Sequence, residues 1–231
     1  MARRKVGNPL AFAVLGCLAE RPMHPYEMST MLRARGKDQS IKLNYGSLYS
    51  VVAALEKHGL ITAQETVREG NRPERTVYAI TDAGFAEFQD WLAELLGTPT
   101  HEFTQLEAGL AYLPGCSPDR AVELLEQRAV ALDTKIAELD DMHARAATQG
   151  LPRLFWVESE YRMHMLRAER EFSAQLAQEI RDDKLGGIGF WRRSVELVST
   201  GTVTFAEIMA DPTKYLGEEA AWLANIPRES Y

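Results

Sequence analysis

The sequence predicts a mostly α-helical protein with a small β-hairpin, divided into a compact N-terminal part and a longer helical C-terminal part. Three observations predict it. Short amphipathic helices precede two strand-like runs in the first eighty residues, and a regular heptad stripe follows beyond residue 117. Charge is also divided along the chain. Residues 1–75 contain 12 of the 26 Lys and Arg residues but only 7 of the 33 Asp and Glu residues, so this part is basic and the remainder is acidic.

Composition indicates an ordinary globular chain. Of 231 residues, 45% are apolar and 26% are charged, which argues against disorder and low-complexity sequence. Two distant cysteines, Cys17 and Cys116, provide neither a disulfide framework nor the spacing of a zinc knuckle, so we expect a reduced, cytoplasmic protein without a metal or other cofactor. No apolar run approaches the ~18 residues of a membrane-spanning helix, so we expect no membrane association.

The first helix has a clear start, because Asn8 and Pro9 occupy typical N-cap and N1 positions and Leu10, Val14 and Leu18 follow at helical spacing. The same segment imitates a signal peptide, since the basic residues 3–5 precede an apolar stretch ending Leu15-Gly16-Cys17. We favour the helix, because the elements that follow need it for their core.

A second helix begins at Pro25 and ends near Gly36, and Asn44 then caps a third that runs to about His58. The third helix has one apolar face, at Leu48, Val51, Val52 and Leu55. Its opposite face carries the small or polar residues Gly46, Ser50, Ala53 and Lys57. Such a face is typical of a helix that enters the DNA major groove, although a solvated face without a ligand explains it about as well.

Two strand-like runs, Leu60–Val67 and Thr76–Ile80, follow the third helix. The segment between them contains Gly70, Pro73 and three arginines, which predicts a hairpin tip able to contact phosphates or a minor groove. Thr81 then caps a further helix. This order of elements is that of a winged helix-turn-helix. In that fold the outward face of the third helix and the hairpin tip lie on the side that contacts DNA, so the two weak indications support each other.

Several motifs in residues 8–96 resemble the PadR-like transcriptional regulators. They are Leu15-Gly16-Cys17-Leu18, His24-Pro25-Tyr26-Glu27, Gly46-Ser47-Leu48-Tyr49, Leu55-Glu56-Lys57-His58-Gly59-Leu60-Ile61, Arg72-Pro73-Glu74-Arg75-Thr76-Val77-Tyr78 and Thr81-Asp82-Ala83-Gly84. The resemblance implies a homodimeric repressor that binds a pseudo-palindromic double-stranded operator and is released by a small-molecule effector. It also implies that Ser47, Tyr49, Tyr26 and the hairpin arginines lie near DNA.

From the motifs and the helix faces together we assign residues 1–96 to a winged helix-turn-helix DNA-binding domain. The candidate DNA-binding residues are Tyr26, Lys42, Asn44, Tyr45, Gly46, Ser47, Tyr49, Ser50, Arg68, Asn71, Arg72 and Arg75. For the two tyrosines at 26 and 49, support of the helical core is as reasonable as a phosphate contact.

Residues 97–189 are predicted to form a helical dimerisation domain. Ser117-Pro118 starts a long helix with a narrow heptad stripe, and a second stripe follows Pro152. The stripes could pack within one chain or across a two-fold axis, and we favour the second. The candidate dimer-interface residues are Val122, Leu125, Ala129, Leu132, Ile136, Leu139, Tyr161, Met165, Phe172 and Leu176.

Residues 190–231 form an aromatic extension, which we expect to pack on the dimer. Phe155 and Trp156 are candidate ligand contacts, with core packing as the simpler explanation. The five histidines are scattered, and no nucleophile motif or phosphate-binding loop is recognisable, so we expect no catalytic activity. The alternative function is a ligand- or protein-binding winged-helix module without direct DNA contact.

Overall fold

The computed structural model describes residue 4 and residues 6–67 and 75–225. The chain divides into two compact units, of which the first ends at Glu102 and the second begins at Phe103. The predicted fold class is confirmed: the chain is mostly helical, with a small antiparallel hairpin. Arg68, Asn71 and Arg72, three of the candidate DNA-binding residues, lie outside the described residues.

Side-chain caps start the helices of the N-terminal unit where the sequence predicts. Asn8 Oδ1 accepts a hydrogen bond from the backbone N of Leu10 at 2.9 Å, and Thr81 Oγ1 accepts one from that of Gly84 at 3.0 Å. The helices are α1 (Pro9–Glu20), α2 (Pro25–Ala34), α3 (Tyr45–Lys57) and α4 (Asp82–Gly97), with a 3₁₀ turn at Lys37–Gln39.

The hairpin consists of β1 (Ile61–Val67) and β2 (Arg75–Ile80), paired from Ile61 opposite Ile80 to Val67 opposite Arg75. A bulge between Ala63 and Glu65 shifts the register. Met23, between α1 and α2, adds a short bridge, because its N–H donates to Tyr78 O at 3.1 Å and its carbonyl accepts from Tyr78 N at 3.2 Å. The sequence does not predict this bridge, which fixes the hairpin to the helices.

One hydrophobic core holds the N-terminal unit together, and α1 contributes the largest share of it. Leu10, Val14 and Leu15 are each no more than 1% exposed, and Trp91 of α4 closes the cluster. Burial on this scale stabilises the fold by roughly 1.5–3 kcal/mol per large side chain. The predicted first helix is therefore confirmed over residues 9–20.

The C-terminal unit is built on a hairpin of two long helices. Its helices are α5 (Gln105–Ala111), α6 (Pro118–Thr148), α7 (Val157–Arg181), α8 (Ile188–Ser199), α9 (Phe205–Ala210) and α10 (Pro212–Leu216), with 3₁₀ turns at Leu113–Gly115, Arg153–Phe155 and Glu218–Asn225. Ion pairs cross between α6 and α7 along the hairpin: Arg170 Nε to Asp133 Oδ1 at 2.9 Å and Arg167 Nη2 to Asp140 Oδ1 at 2.9 Å.

The heptad stripe of α6 is buried within the chain over its first half, while packing of the stripe across a two-fold axis stays a prediction. Val122, Leu125, Ala129 and Leu132 are all buried in the single chain, and Val122 and Leu125 cluster with residues of α7 and α8. The physical reason is that a two-residue-in-seven stripe is satisfied by any helix of matching pattern, and α7 follows on the same chain. These four side chains are therefore not available as a free surface.

The described part of the aromatic extension packs on its own chain. Trp191 is 5% exposed and its indole Nε1 donates to the carbonyl of Cys116 at 2.8 Å, while Ile188 joins the cluster formed by α6 and α7. The expected boundary at residue 190 falls inside α8, which begins at Ile188 after Gly187 in the left-handed region. Packing of this extension across a dimer stays a prediction.

Candidate nucleic-acid interface

Helix α3 is held by its apolar face, which leaves its start and opposite face outward. Leu48, Val51, Val52 and Leu55 are at most 6% exposed and pack into the core. Asn44, the N-cap, accepts a hydrogen bond from the backbone N of Ser47 through Oδ1 at 2.7 Å. The first turn therefore has a fixed geometry, and its backbone N–H groups and dipole give this end a partial positive charge.

The outward face of α3 has little side-chain bulk near its start. Gly46 is exposed, and the nearest atom to a Cβ added there would be Asn44 Oδ1 at 3.9 Å, so the glycine is not required by packing within the unit. Ser50 is exposed and its hydroxyl donates to the carbonyl of Gly46 at 3.0 Å. A groove-shaped partner could therefore approach the helix backbone closely at this turn.

Larger candidate side chains are exposed on α2 and α3. Tyr49 is 49% exposed on α3 and Tyr26 is 53% exposed in the first turn of α2, so both half-buried support of the core and a phosphate contact stay open for each. Lys42 is exposed in the stretch before α3, and Ser47 is half-buried. Tyr45 opens α3 and Arg75 opens β2, but their side chains lie outside the described residues.

Helix α2 begins with a capping box that sets the position of Tyr26. His24 Nδ1 accepts a hydrogen bond from the backbone N of Tyr26 at 3.0 Å, and the His24 N–H donates to Glu27 Oε2 at 2.9 Å. The box occupies His24 and Glu27 with backbone groups. Tyr26 and Glu27 of this motif are both exposed, and the box fixes the helical turn that carries them.

Part of the basic charge of the N-terminal unit is used for internal pairing. Arg35 and Glu20 form a two-pronged pair in which Nη2 lies 2.9 Å from Oε2, and the hydrogen bond from Arg35 lowers the pKa of the Glu20 carboxyl. Arg21 Nη1 lies 3.5 Å from Glu27 Oε1. These arginines are less available to a phosphate than the count of basic residues indicates.

Arg4 is a structural residue that sequence reasoning missed. Its guanidinium contacts three carboxylates of α4, with Nη1 2.6 Å from Glu87 Oε1 and Nη2 3.3 Å from Asp90 Oδ2, and also pairs with Glu94. It lies over the Trp91 ring at 5.1 Å from the centroid. Burial opposes its charge, but the hydrogen bonds outweigh that effect and raise the pKa of Arg4. The acidic stripe of α4 at spacings of three and four was the available signal.

The candidate dimer residues fall into two groups. Those of α6 are mostly buried within the chain, whereas Tyr161, Met165 and Phe172 of α7 are 67%, 53% and 49% exposed. On α7 these three share one face, and the buried residues Met163 and Ala177 lie on the opposite side, toward α6. Ile136, Leu139 and Leu176 are half-buried. An apolar stripe thus stays uncovered along α7.

The two candidate ligand residues differ in their surroundings. Phe155 is 65% exposed. Trp156 is half-buried; its Nε1 donates to the carbonyl of Leu151 at 3.3 Å, and its ring lies 4.6 Å from the His143 ring. Trp156 therefore packs at the turn between α6 and α7. Within the described part of the chain, no group of three His, Cys, Asp or Glu residues could hold a metal ion, and no helix is long and apolar enough to cross a membrane.

Comparison with known proteins finds transcriptional regulators among the relatives of this chain. Residues 14–90 match the model of the transcriptional regulator PadR-like family. The negative transcriptional regulator PadR of Bacillus subtilis is 26% identical over 149 residues, which span 63% of this chain and 79% of that protein. A probable transcriptional regulator of Mycobacterium tuberculosis is 31% identical over 119 residues, 50% of this chain and 57% of that protein.

Solved structures agree in fold. Bacillus subtilis PadR in complex with operator DNA superposes with a TM-score of 0.59 at 19% identity, covering 75% of this chain and 98% of that one. The structure of the same protein with p-coumaric acid has a TM-score of 0.62 at 15% identity, and the match covers 74% of this chain and 98% of that one. The structure of the virulence activator AphA of Vibrio cholerae has a TM-score of 0.57 at 18% identity, and the match covers 75% of this chain and 98% of that one. The resemblance of the motifs is thus confirmed over residues 14–90, where this chain is similar to the transcriptional regulator PadR-like family.

Proposed function

We propose that the chain is a cytoplasmic, homodimeric repressor that binds a pseudo-palindromic DNA operator and is released by a small molecule. The observation that carries the DNA-binding part is the outward face of α3, which combines a capped helix start with exposed Gly46 and Ser50. The relatives support the rest, since one is a negative regulator whose structures hold operator DNA and p-coumaric acid.

The proposed contacts follow from the chemistry of each group. Helix α3 enters the major groove, and the small side chains at 46 and 50 allow its backbone to approach the bases. Tyr26, Tyr49 and Lys42 surround this turn with hydroxyl and ammonium groups suited to phosphate oxygens. The wing adds Arg68, Asn71, Arg72 and Arg75 from the hairpin tip. Asn44, Tyr45 and Ser47 complete the helix start.

The proposed dimer uses the uncovered stripe of α7. Tyr161, Met165 and Phe172 repeat at intervals of four and seven residues and are about half exposed or more in the single chain. A second copy of the same helix offers a matching stripe, as two-fold symmetric interfaces require. Paired chains place two copies of α3 for half-sites about 34 Å apart. The half-buried Ile136, Leu139 and Leu176 are retained as candidates at the margin of this interface.

The experiment for DNA binding is fluorescence anisotropy with a labelled duplex from upstream of the chain's own gene, titrated at several salt concentrations. Lys42→Ala should weaken binding and reduce the slope of log affinity against log salt by about 0.9, the value for one lost phosphate contact. Lys135→Ala, an exposed lysine of α6, is the matched control and should leave both quantities unchanged. Arg72→Ala with Arg75→Ala tests the wing in the same way.

Absence of any binding at low salt would refute the DNA-binding proposal and favour the alternative, a winged-helix module that binds protein or ligand. The dimer is tested separately by sedimentation velocity. Phe172→Asp introduces a charge into the α7 stripe and should convert a dimer into a monomer, with circular dichroism checking that helix content is kept. A wild-type chain that sediments as a monomer at micromolar concentration would contradict the dimer.

A further inference from the structure

A cavity of about 290 Å³ lies in the C-terminal unit, beside the start of α6. We call it the α8 pocket, because one face of α8 forms most of its wall. The turn before α6 and the first residue of α9 form the remainder. The lining residues are Pro114, Gly115, Cys116, Ser117, Phe190, Trp191, Ser194, Val195, Val198, Ser199 and Phe205.

The α8 pocket has a closed base and an accessible mouth. Trp191 and Ser194 are 5% and 3% exposed, which places them at the base. Val198 and Phe205 are 40% and 47% exposed and stand at the entrance. Aromatic rings therefore lie at both the base and the mouth of the pocket, an arrangement suited to a flat apolar molecule.

The polar groups in the wall are already hydrogen-bonded to the protein. The Ser194 hydroxyl donates to Phe190 O at 2.8 Å, and the Ser199 hydroxyl donates to Glu196 O at 2.9 Å. Ser117 Oγ accepts from the backbone N of Arg120 at 3.3 Å, as the N-cap of α6. None of the eleven lining residues is charged. A charged ligand would lose its water here and gain no ionic partner from the lining, whereas a neutral apolar ligand loses little.

The walls are fixed in place by contacts made by the lining residues and by Arg192 beside them. Trp191 Nε1 donates to Cys116 O at 2.8 Å, which joins α8 to the turn before α6 across 75 residues of sequence. Arg192, the next residue, bridges Asp119 at 3.0 Å and Asp183 at 2.7 Å. Because its walls are held in this way, the pocket is already formed before a ligand binds. Little binding free energy is therefore lost in ordering the protein.

We propose that the α8 pocket is a binding site for an uncharged, predominantly aromatic small molecule, which lies between Trp191 at its base and Phe205 at its mouth. A volume near 290 Å³ is at the small end of protein ligand sites, so the ligand has two or three rings at most. The site goes beyond the proposed DNA binding, which does not require it, and it does not include Phe155 or Trp156.

The test uses two fluorescent probes that share one aromatic skeleton. N-phenyl-1-naphthylamine is neutral, and 1-anilinonaphthalene-8-sulfonate carries an added sulfonate. The full chain should bind one equivalent of the neutral probe at the pocket and should bind it at least about tenfold more tightly than the sulfonated one. Equal or tighter binding of the sulfonated probe, or no binding of the neutral probe, would overturn the proposal.

Two variants assign the binding to this pocket. Val198→Trp fills the mouth and should reduce affinity for the neutral probe at least about tenfold, while Phe205→Ala removes one aromatic wall and should reduce it about fivefold. Met209→Ala is the matched control, because Met209 is a comparably exposed apolar residue of α9, at 37%, that does not line the pocket. Circular dichroism reports whether each variant folds. If Val198→Trp does not fold, Phe205→Ala, a substitution at an exposed position, still tests the assignment. Unchanged affinity in a folded Phe205→Ala chain would place the probe elsewhere and refute the assignment.

Discussion

Substitution of Gly84 by alanine should destabilise the N-terminal unit more than a single added methyl group usually does. Gly84 is in the first turn of α4, directly against the backbone of Leu60, the residue before β1. A Cβ built there would lie 1.9 Å from the carbonyl oxygen and 2.8 Å from the carbonyl carbon of Leu60. The obstacle is backbone, so no side-chain rotation relieves it.

The magnitude follows from what must move. Leu60 O accepts a hydrogen bond from Thr81 N at 3.1 Å, and the Thr81 hydroxyl lies 2.8 Å from Gly59 O while capping α4. Separating Cβ and oxygen to ordinary contact displaces this junction by more than about 1 Å. Overpacking costs about 1–3 kcal/mol and each lost hydrogen bond about 1 kcal/mol, so Gly84→Ala should lower the free energy of unfolding by about 3–4 kcal/mol.

The assay is urea unfolding of the full chain, followed by circular dichroism and by fluorescence of the tryptophans, which include Trp91 in the affected core. Gly97→Ala is the matched control in the same helix, because nothing lies within 4 Å of a Cβ added there. It should leave stability unchanged or raise it by up to about 1 kcal/mol. A Gly84→Ala chain within 0.5 kcal/mol of wild type, by this order-of-magnitude reasoning, would refute the close approach at Leu60.

Three further predictions test other parts of the structure. Because Arg35 lowers the pKa of Glu20, this ion pair stabilises the fold at pH values above the ordinary carboxyl pKa of 4.5, and the stabilisation is lost as the pH falls through the lowered pKa. Glu20→Gln should therefore reduce the free energy of unfolding by about 0.5 kcal/mol at pH 7, measured by urea unfolding. A stability difference between variant and wild type that grows on acidification would contradict this prediction. Burial raises the pKa of Cys17 to about 11. At pH 8 a disulfide reagent should therefore react with one thiol, Cys116, in the native chain and with two thiols in urea. Two rapidly reacting thiols in the native chain would contradict the burial of Cys17. Gly46→Ala should stabilise α3 by up to about 1 kcal/mol yet weaken DNA binding several-fold by anisotropy, and unchanged DNA affinity would remove Gly46 from the interface.

Local chemistry made the N-terminal unit predictable from sequence. Asn8, Asn44 and Thr81 each cap a helix within three residues of themselves, and Pro9 and Pro25 fix the first helical position. The hairpin was also predicted to within one residue at its ends, because β-branched residues and a turn sequence define it locally. The assignment of DNA-contacting residues stays a prediction, since side-chain exposure at α3 indicates a surface and not its partner.

Long-range pairings account for what the sequence did not predict. Arg4 meets Glu87 across 83 residues, and Trp191 meets the Cys116 carbonyl across 75. No local pattern joins the two partners of either pair, although the acidic stripe of α4 marks one side of the Arg4 contact. The heptad stripe predicted which face of α6 is apolar but not which helix packs against it, because a side chain such as Leu125 can pack against a helix of its own chain or of another chain. The α8 pocket could not be predicted, because its walls come together only when α8 folds back on the start of α6.

The central claim is that two copies of the chain read symmetric DNA sites through α3. Its most direct test is selection of bound sequences from a random duplex library, with the mass of the complex measured on the selected duplex. The account predicts an enriched inverted repeat whose half-sites are centred about ten base pairs, one helical turn, or a multiple of it apart, and two chains per duplex. Failure to enrich any sequence, or a single chain bound to an asymmetric site, would contradict it.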